Sequence, residues 1–421
     1  MPGYPGHRHF KNGISHVTQW TGREHKDMQH VFVGLLVSAV QPAILRTARA
    51  VVDFIYYSQL HIHTSTTLHA LQDALRIFHE NKDIFIHEGI REHFNILKLH
   101  QMFHDVEAIK SHGVADGCNT ESPERLHIDF AKEVYRASNG QDYEEQMVKW
   151  LGHQEAVMRF RAYLNWCDAE FESDVDTGSD CDTNTDSDVI NKPLANTFTT
   201  TTTAGLPSTH HLPVQPRFPL TDIVTLTTQF FAIDFVSALT KVICSTTSNV
   251  TNKFDVFKRL SICLPNLVAV GRFKATQCIC ATPLMSGRKK DTPANFNTVT
   301  RGTCLKGLQV AQVCIIFALP DHLRGCELPK YHAYIEWFNL LRVPDPDSLL
   351  HSVTCSYQHG RSLPEIIPLT DIVSSCHLTP KFGINFHPAP GTNVEMLDNW
   401  KSFTLNKYIH LGTFYEHQGL K

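Results

Sequence analysis

The sequence lacks any apolar run long enough to cross a bilayer. Its longest, at 31–40 and 313–319, have core length, against the roughly 18 residues a spanning helix needs. The opening residues, MPGYPGHRHFKNG, carry bases but no following apolar stretch with a cleavage site, so secretion is unsupported. Cysteine is moderate and scattered: 12 residues, with one Cys-x-Cys at Cys278 and Cys280 and no second knuckle to complete a zinc module. A reducing compartment is expected. A phosphate-cradling glycine loop, a nucleophile elbow and a zinc-finger spacing are all missing, which removes the commonest nucleotide-hydrolysing, esterase-like and finger-type readings. Charge is sparse at 19%, but the 42% hydrophobic content excludes a wholly disordered chain.

What charge there is lies unevenly. Residues 1–166 hold 17 bases and 19 acids, and residues 167–191 hold nine acids and no base. Residues 192–421 hold 21 bases and 14 acids, so the overall −4 belongs to one short tract. Histidine is also skewed, with 16 of the 26 in the first 166 residues, where they supply metal ligands, proton carriers or hydrogen-bond partners.

Apolar spacing predicts helices over most of 1–166. The segment 25–40 stops near Pro42, and 43–58 places Leu45, Ala48, Val52, Ile55 and Tyr56 at intervals of three and four. A third helix is predicted over 67–84, capped by Thr66 or Thr67, and a fourth over 98–111, ended by Gly113. Beyond it, Asn139 and Gly140 separate 128–137 from a long helix over 142–166. The acid, Ser and Thr density of 168–188 defeats core formation, and a Thr-rich stretch follows it. That tract superficially resembles a calcium loop but lacks the required Gly and closing Glu. Short β-prone runs then appear at 267–273, 309–317, 331–338, 350–355 and 365–369, while 223–239 is ambiguous in type. The string PLTDIV occurs at 219–224 and 368–373 with unrelated flanks, which argues against a repeat architecture. The expected fold class is α+β: a mostly helical region over 1–166, a disordered acidic and Thr-rich linker over 167–216, and a small β-rich domain over 217–421.

The densest polar constellation lies between 93 and 136. His100 and His104 are four apart, so a helix sets both on one face, with Glu107 able to join them. Such a set is a metal-ligand pair, an active-site rim or simply two helix histidines, the last being the commonest. Glu121 and Glu124 flank Pro123, which suits the first turn of a helix. Acids there complement the helix dipole or contribute one carboxylate to a larger metal set. Arg125 with Lys132 and Arg136 could face phosphate, but interleaved acids favour ordinary helix ion pairs. The basic triplet Arg288, Lys289 and Lys290 permits weak nucleic-acid contact within the positive C-terminal part.

Several longer strings resemble the distal portion of Plavaka-type fungal transposases, related to the KDZ superfamily of DNA transposases. They are FKNGISHVTQWTGREHKDMQHVFVGLL at 10–36, AVVDFIYY at 50–57, NKDIFIHEGIREHFNILKLHQMFH at 81–104 and NTESPERLHIDFAKEVYRASN at 119–139. A looser likeness runs over 325–415, including DIVSSCHLTPKFG at 371–383. The resemblance implies that the helical half is the distal part of a ribonuclease-H-like core with its helical extension. In the family, two aspartates and a glutamate hold Mg2+ or Mn2+ for strand cleavage and transfer. The glutamate would fall at Glu121 or Glu124, with Glu121 favoured as the metal ligand, and His100, His104, Arg125 and His127 would support it. The two aspartates are expected before residue 8; Asp27 and Asp53 sit in helical rather than strand context. The resemblance therefore implies a transposase-derived fragment that is inactive alone and needs no cofactor of its own. The alternative is a DNA-binding or protein-interaction module. Implied partners are DNA and other transposase chains, with no membrane and no small-molecule substrate, in the nucleus.

Overall fold

The structure is a computed structural model that describes residues 4, 7, 14, 17, 20–118, 121–169, 196–200, 208–243, 253–272, 275–285, 294–302, 307–324, 328–358, 361–383, 397 and 400–418. The chain divides into two compact units: Met1–Ala115 together with Pro193–Lys421, and Asp116–Lys192. The fold is mixed α+β, helical in its N-terminal half and β-rich in its C-terminal region, as the sequence predicts.

Helix α1 (Gly22–Leu36) begins at a reciprocal cap in which the Thr21 side chain accepts from the Glu24 N–H and Glu24 accepts from the Thr21 N–H. Helix α2 (Pro42–Ser58) starts on Pro42, whose missing N–H is no loss in a first turn. Helix α3 (Ser65–Asn81) is capped by Thr64, with Thr67 answering it, rather than by the expected Thr66 or Thr67. Thr67 is instead the third helical residue, and it is buried. One turn forms α4 (Ile84–His87). The helix predicted over 98–111 is divided into α5 (Leu97–Gln101), a 3-10 turn at Met102–His104, and α6 (Asp105–His112). Val106 and Ile109 are buried whereas Leu97 is exposed, so only the second half has a core to fit and the first turns aside. Gly113 ends α6 with φ 91°, a backbone conformation that glycine adopts without strain.

Among the described residues of the second unit, every regular element is helical. Helix α7 (Glu121–His127) passes through a π-turn at Ile128–Lys132 into α8 (Glu133–Ala137). A turn through Gly140, φ 76°, leads to α9 (Tyr143–Ala169). Asn139 and Gln146 tie this turn: Gln146 Nε2 donates to Asn139 Oδ1 at 2.7 Å, and the Asn139 N–H donates to Gln146 Oε1 at 3.1 Å. The Tyr135 and Tyr143 rings meet edge-on across it at 5.2 Å.

Within 167–216, residues 196–200 and 208–212 are strands β1 (Asn196–Thr200) and β2 (Ser208–Leu212), paired antiparallel, where a disordered linker is expected. Their Thr content suits a pleated ladder as well as it suits a coil. Strand β3 (Phe218–Thr221) precedes two short helices, α10 (Ile223–Gln229) and α11 (Phe235–Ile243), which resolve the ambiguous 223–239 segment. Next come β4 (Phe254–Phe257), β5 (Arg259–Cys263), β6 (Thr276–Thr282), β7 (Asn295–Phe296), β8 (Thr298–Arg301) and β9 (Gln309–Ala318). Where a strand is predicted over 267–273, the described residues 267–272 form none: Val268–Val270 makes a 3-10 turn closed by a Leu267–Arg272 bridge and Gly271 at φ 63°. After α12 (Asp321–Arg324) follow β10 (Tyr331–Trp337), β11 (Ser352–Thr354), β12 (Tyr357–Gln358), β13 (Arg361–Pro368), β14 (Ser374–Cys376), β15 (Leu378–Pro380), β16 (Ser402–Leu405) and α13 (Leu411–His417).

Among the described residues the strands form three sheets: β1-β2-β5-β6-β7; a larger one along β12-β13-β10-β9-β4-β3 with β8 and β14 attached; and β11-β16-β15. The main core lies over the large sheet, where Phe235, Phe254, Phe317 and Tyr334 interlock in edge-on and tilted ring contacts. A second core joins α1–α3 and α6 to Val270, Leu350, Tyr408 and Phe414, so residues near the end of the sequence close the N-terminal helices. No described helix is long and apolar enough to cross a membrane.

Candidate functional site

The residues singled out by sequence fall in both units. His100 and His104 do stand side by side, Nε2 to Nε2 at 3.4 Å and rings edge-on at 5.1 Å, both exposed. Glu107 is exposed one turn on, at the start of α6. Glu121 opens α7, and Glu124, Arg125 and His127 follow on that helix with exposed side chains. Arg288, Lys289 and Lys290 lie outside the described residues. Among the described residues, no three His, Cys, Asp or Glu side chains are arranged to hold a metal ion. Mg2+ and Mn2+ call for several convergent oxygens, and a pair of imidazole nitrogens on one helix is the wrong donor set. The described residues therefore do not fit the metal centre that the family resemblance implies.

Asp53, which like Asp27 sits in helical rather than strand context, has a different employment. It lies on α2 in a nearly sealed layer against the segment 406–408. Its Oδ2 accepts from Arg49 NH1 at 2.9 Å, its Oδ1 accepts from the Tyr408 hydroxyl at 2.6 Å, and Lys407 Nζ stands 3.9 Å away. Arg49, Asp53, Lys407 and Tyr408 are all under 10% exposed. Burial pulls the Lys407 ammonium below its ordinary pKa, with Asp53 opposing that shift, and pushes the Tyr408 phenol well up. The neighbouring His30 Nδ1 sits 2.7 Å from the Tyr56 hydroxyl and 2.9 Å from the Tyr408 carbonyl, which also accepts from Tyr56. Asn406 Nδ2 donates to the His30 carbonyl at 2.9 Å. A carboxylate held by three donors or cations with no opening to solvent is a structural lock. Spacing alone identifies Arg49 and Asp53 as a possible i,i+4 pair, but nothing local reveals that Lys407 and Tyr408 complete it.

A cavity of about 550 Å³ lies beside the same helices, with Phe54, Leu75, Met102, Phe103 and Val106 as its apolar floor and Arg76 on its rim. Arg76 is already held by Asp73 and Glu80. The ring of His79 stacks on Phe103 at 4.7 Å. Asp73, His79 and Glu80 also line it, the two carboxylates turned to Arg76 and the imidazole to Phe103.

The more unusual surface belongs to the second unit. Helix α9 has 27 residues, about 40 Å at helical rise, and apolar side chains all round rather than on one stripe. Val148 is 70% exposed, Phe160 61% and Trp166 60%, with Val157, Met158, Tyr163 and Leu164 also exposed. Between them run two ion pairs, Glu145–Lys149 at 2.7 Å and Glu155–Arg159 at 2.6 Å. Gly152 lies between the pairs, and a Cβ there would meet nothing within 4 Å. A helix apolar on every side is ordinarily an enclosed one. What this surface offers chemically is apolar area and paired charge. No protein family, curated protein or solved structure matches the chain.

Proposed function

We propose that the chain is a transposase-derived protein of Plavaka-type descent whose working part is a self-association module built on α9. On this reading the helical half descends from the distal part of a ribonuclease-H-like core, the protein works in the nucleus, and it does not cut DNA by itself. The exposed, all-round apolar surface of α9 is the observation that carries the proposal. The occupant is a second copy of the same helix, or that of a related transposase chain, running antiparallel.

Charge order supports that direction. The N-terminal part of α9 carries Glu144 and Glu145, and the later part carries Arg159 and Arg161. A parallel pair would set like charges against each other along its length. An antiparallel pair with its two-fold axis at Gly152 sets Glu145 against Arg159 and Lys149 against Glu155. The same register brings Val148 over Ala156, both on the helix face that carries Gly152. Gly152, with no side chain, lets the backbones approach at the crossing.

The test is a charge swap in the full chain, read by sedimentation equilibrium. Glu145→Arg and Arg159→Glu should each lower self-association about tenfold by placing like charges together. Mixing the two variants should restore it, because each then meets its opposite. A wild-type chain that stays monomeric at micromolar concentration, or variants that do not rescue each other, would refute the proposal. Incubation with Mg2+ or Mn2+ should leave terminal-repeat DNA intact; nicking that disappears in Glu121→Ala would overturn the non-cutting part. The +7 balance of residues 192–421 favours DNA contact as a second reading. It predicts binding that falls steeply with salt whichever α9 variant is used.

A further inference from the structure

Strands β5 and β6 pair antiparallel with Ser261 opposite Cys278, Arg259 opposite Cys280 and Cys263 opposite Thr276. Opposed residues share a sheet face, as do residues two apart on one strand. The other face is settled by burial: Leu260, Ile262, Ile279 and Ala281 are fully enclosed in the main core. Cys278 and Cys280 therefore stand together on the outer face, both half-buried and unbridged. The Cys278 sulfur is approached by the Cys280 thiol and the Ser261 hydroxyl, with Arg259 and Lys258 adding positive charge. Hydrogen bonding from Cys280 is the largest influence, ahead of those cations, and brings the Cys278 thiol down to about 6. The Cys280 thiol is pushed upward by the same contact and by burial. Asn297 holds the strand at this point: its Oδ1 accepts from the Cys280 N–H at 2.6 Å and its N–H donates to the Cys280 carbonyl at 3.0 Å.

We propose that Cys278 and Cys280 form a peroxide-responsive dithiol, with Cys278 the attacking sulfur and Cys280 the resolving one. Activated, accessible thiolates beside a second cysteine and fixed cations are the sulfurs that oxidants reach first. In the first step the Cys278 thiolate attacks the terminal oxygen of a hydroperoxide. An S–O bond forms, the O–O bond breaks, sulfur is oxidised to sulfenic acid, and the leaving alkoxide or hydroxide takes a proton from water. In the second step the Cys280 sulfur attacks that of Cys278. The S–S bond forms, the S–O bond breaks, and hydroxide departs as water with the proton Cys280 gives up. Two positions along a strand lie about 6.8 Å apart at Cα, at the upper end of the usual disulfide span, so the bridge is readily reduced.

The test uses the full chain treated with one equivalent of hydrogen peroxide and digested with trypsin. The peptide spanning 275–288 contains these two cysteines and no other, so an internal bridge lowers its mass by about 2 Da. Dithiothreitol should restore the mass. In Cys280→Ser, a dimedone adduct should accumulate on Cys278; in Cys278→Ser, Cys280 should remain unmodified. Near pH 6, iodoacetamide should label Cys278 about tenfold faster than Cys263, the gain in thiolate outweighing its lower nucleophilicity. Equal labelling of the two, or a bridge from Cys278 to Cys263 in place of the internal one, would overturn the proposal.

Discussion

The two units of this chain treat polar and apolar groups in opposite ways. The larger one buries Arg49, Asp53 and Lys407 beside Tyr408, with Asp53 gathering the two cations and the phenol, and encloses Phe235, Phe254, Phe317 and Tyr334 in its main core. The smaller one leaves Phe160, Tyr163 and Trp166 exposed along a helix whose charges are all paired at the surface or open to water. Burial on the first pattern produces a self-sufficient fold in which each lost partner is costly. Exposure on the second leaves stability unsatisfied until something else covers it. A mutation should therefore register as unfolding in one unit and as altered association in the other.

The sharpest break of that contrast is Asp53→Asn. It strands Arg49 and Lys407 in a dry layer and should cost about 3–5 kcal/mol, read as a lower urea midpoint. Acid should act next. Burial holds His410 and His417 at about 4, far below the ordinary imidazole value. Between pH 6.5 and about 4 the unfolded chain binds protons that the folded one refuses, so stability is full above that window and falls through it as pH drops. The limit is about 3 kcal/mol for each histidine. His410→Asn should flatten its share, because the His410 Nδ1 that accepts from the Thr413 N–H loses that role on protonation. Gly34→Ala comes third: its Cβ would stand 2.8 Å from Thr379 Oγ1, an overpacking that should cost about 1–3 kcal/mol in thermal unfolding. The α9 charge variants come fourth, shifting association tenfold while the urea midpoint of the larger unit stays put. Smallest of all, His100→Ala on an exposed turn should change stability by less than about 0.5 kcal/mol. A larger loss there would mean that the histidine pair belongs to a fold element rather than a surface.

Much of the helical half is legible because its signals are local. Pro42, the apolar intervals of α2 and the glycines at 113 and 140 mark boundaries that the backbone obeys. What misleads is context at long range. The string PLTDIV starts α10 at its first occurrence, where Asp222 caps the helix, and makes only a 3-10 turn at its second, where Asp371 pairs with Arg301 at 2.6 Å. Identical residues take different forms because their tertiary neighbours differ. The family resemblance points to Glu121, Glu124 and the His100–His104 pair, whereas a buried ion pair joins Asp53 to Lys407. They are 354 positions apart and no window of sequence connects them.

That same contact sets the order of events during synthesis. The carbonyl of His30 and the hydroxyl of Tyr56 wait for Asn406 and Tyr408, which emerge more than 350 residues later. At ribosomal speeds the first helices must persist roughly 20–70 s without the segment that closes them. Their apolar faces stay open for that time, the interval in which a nascent chain is most prone to misassociation.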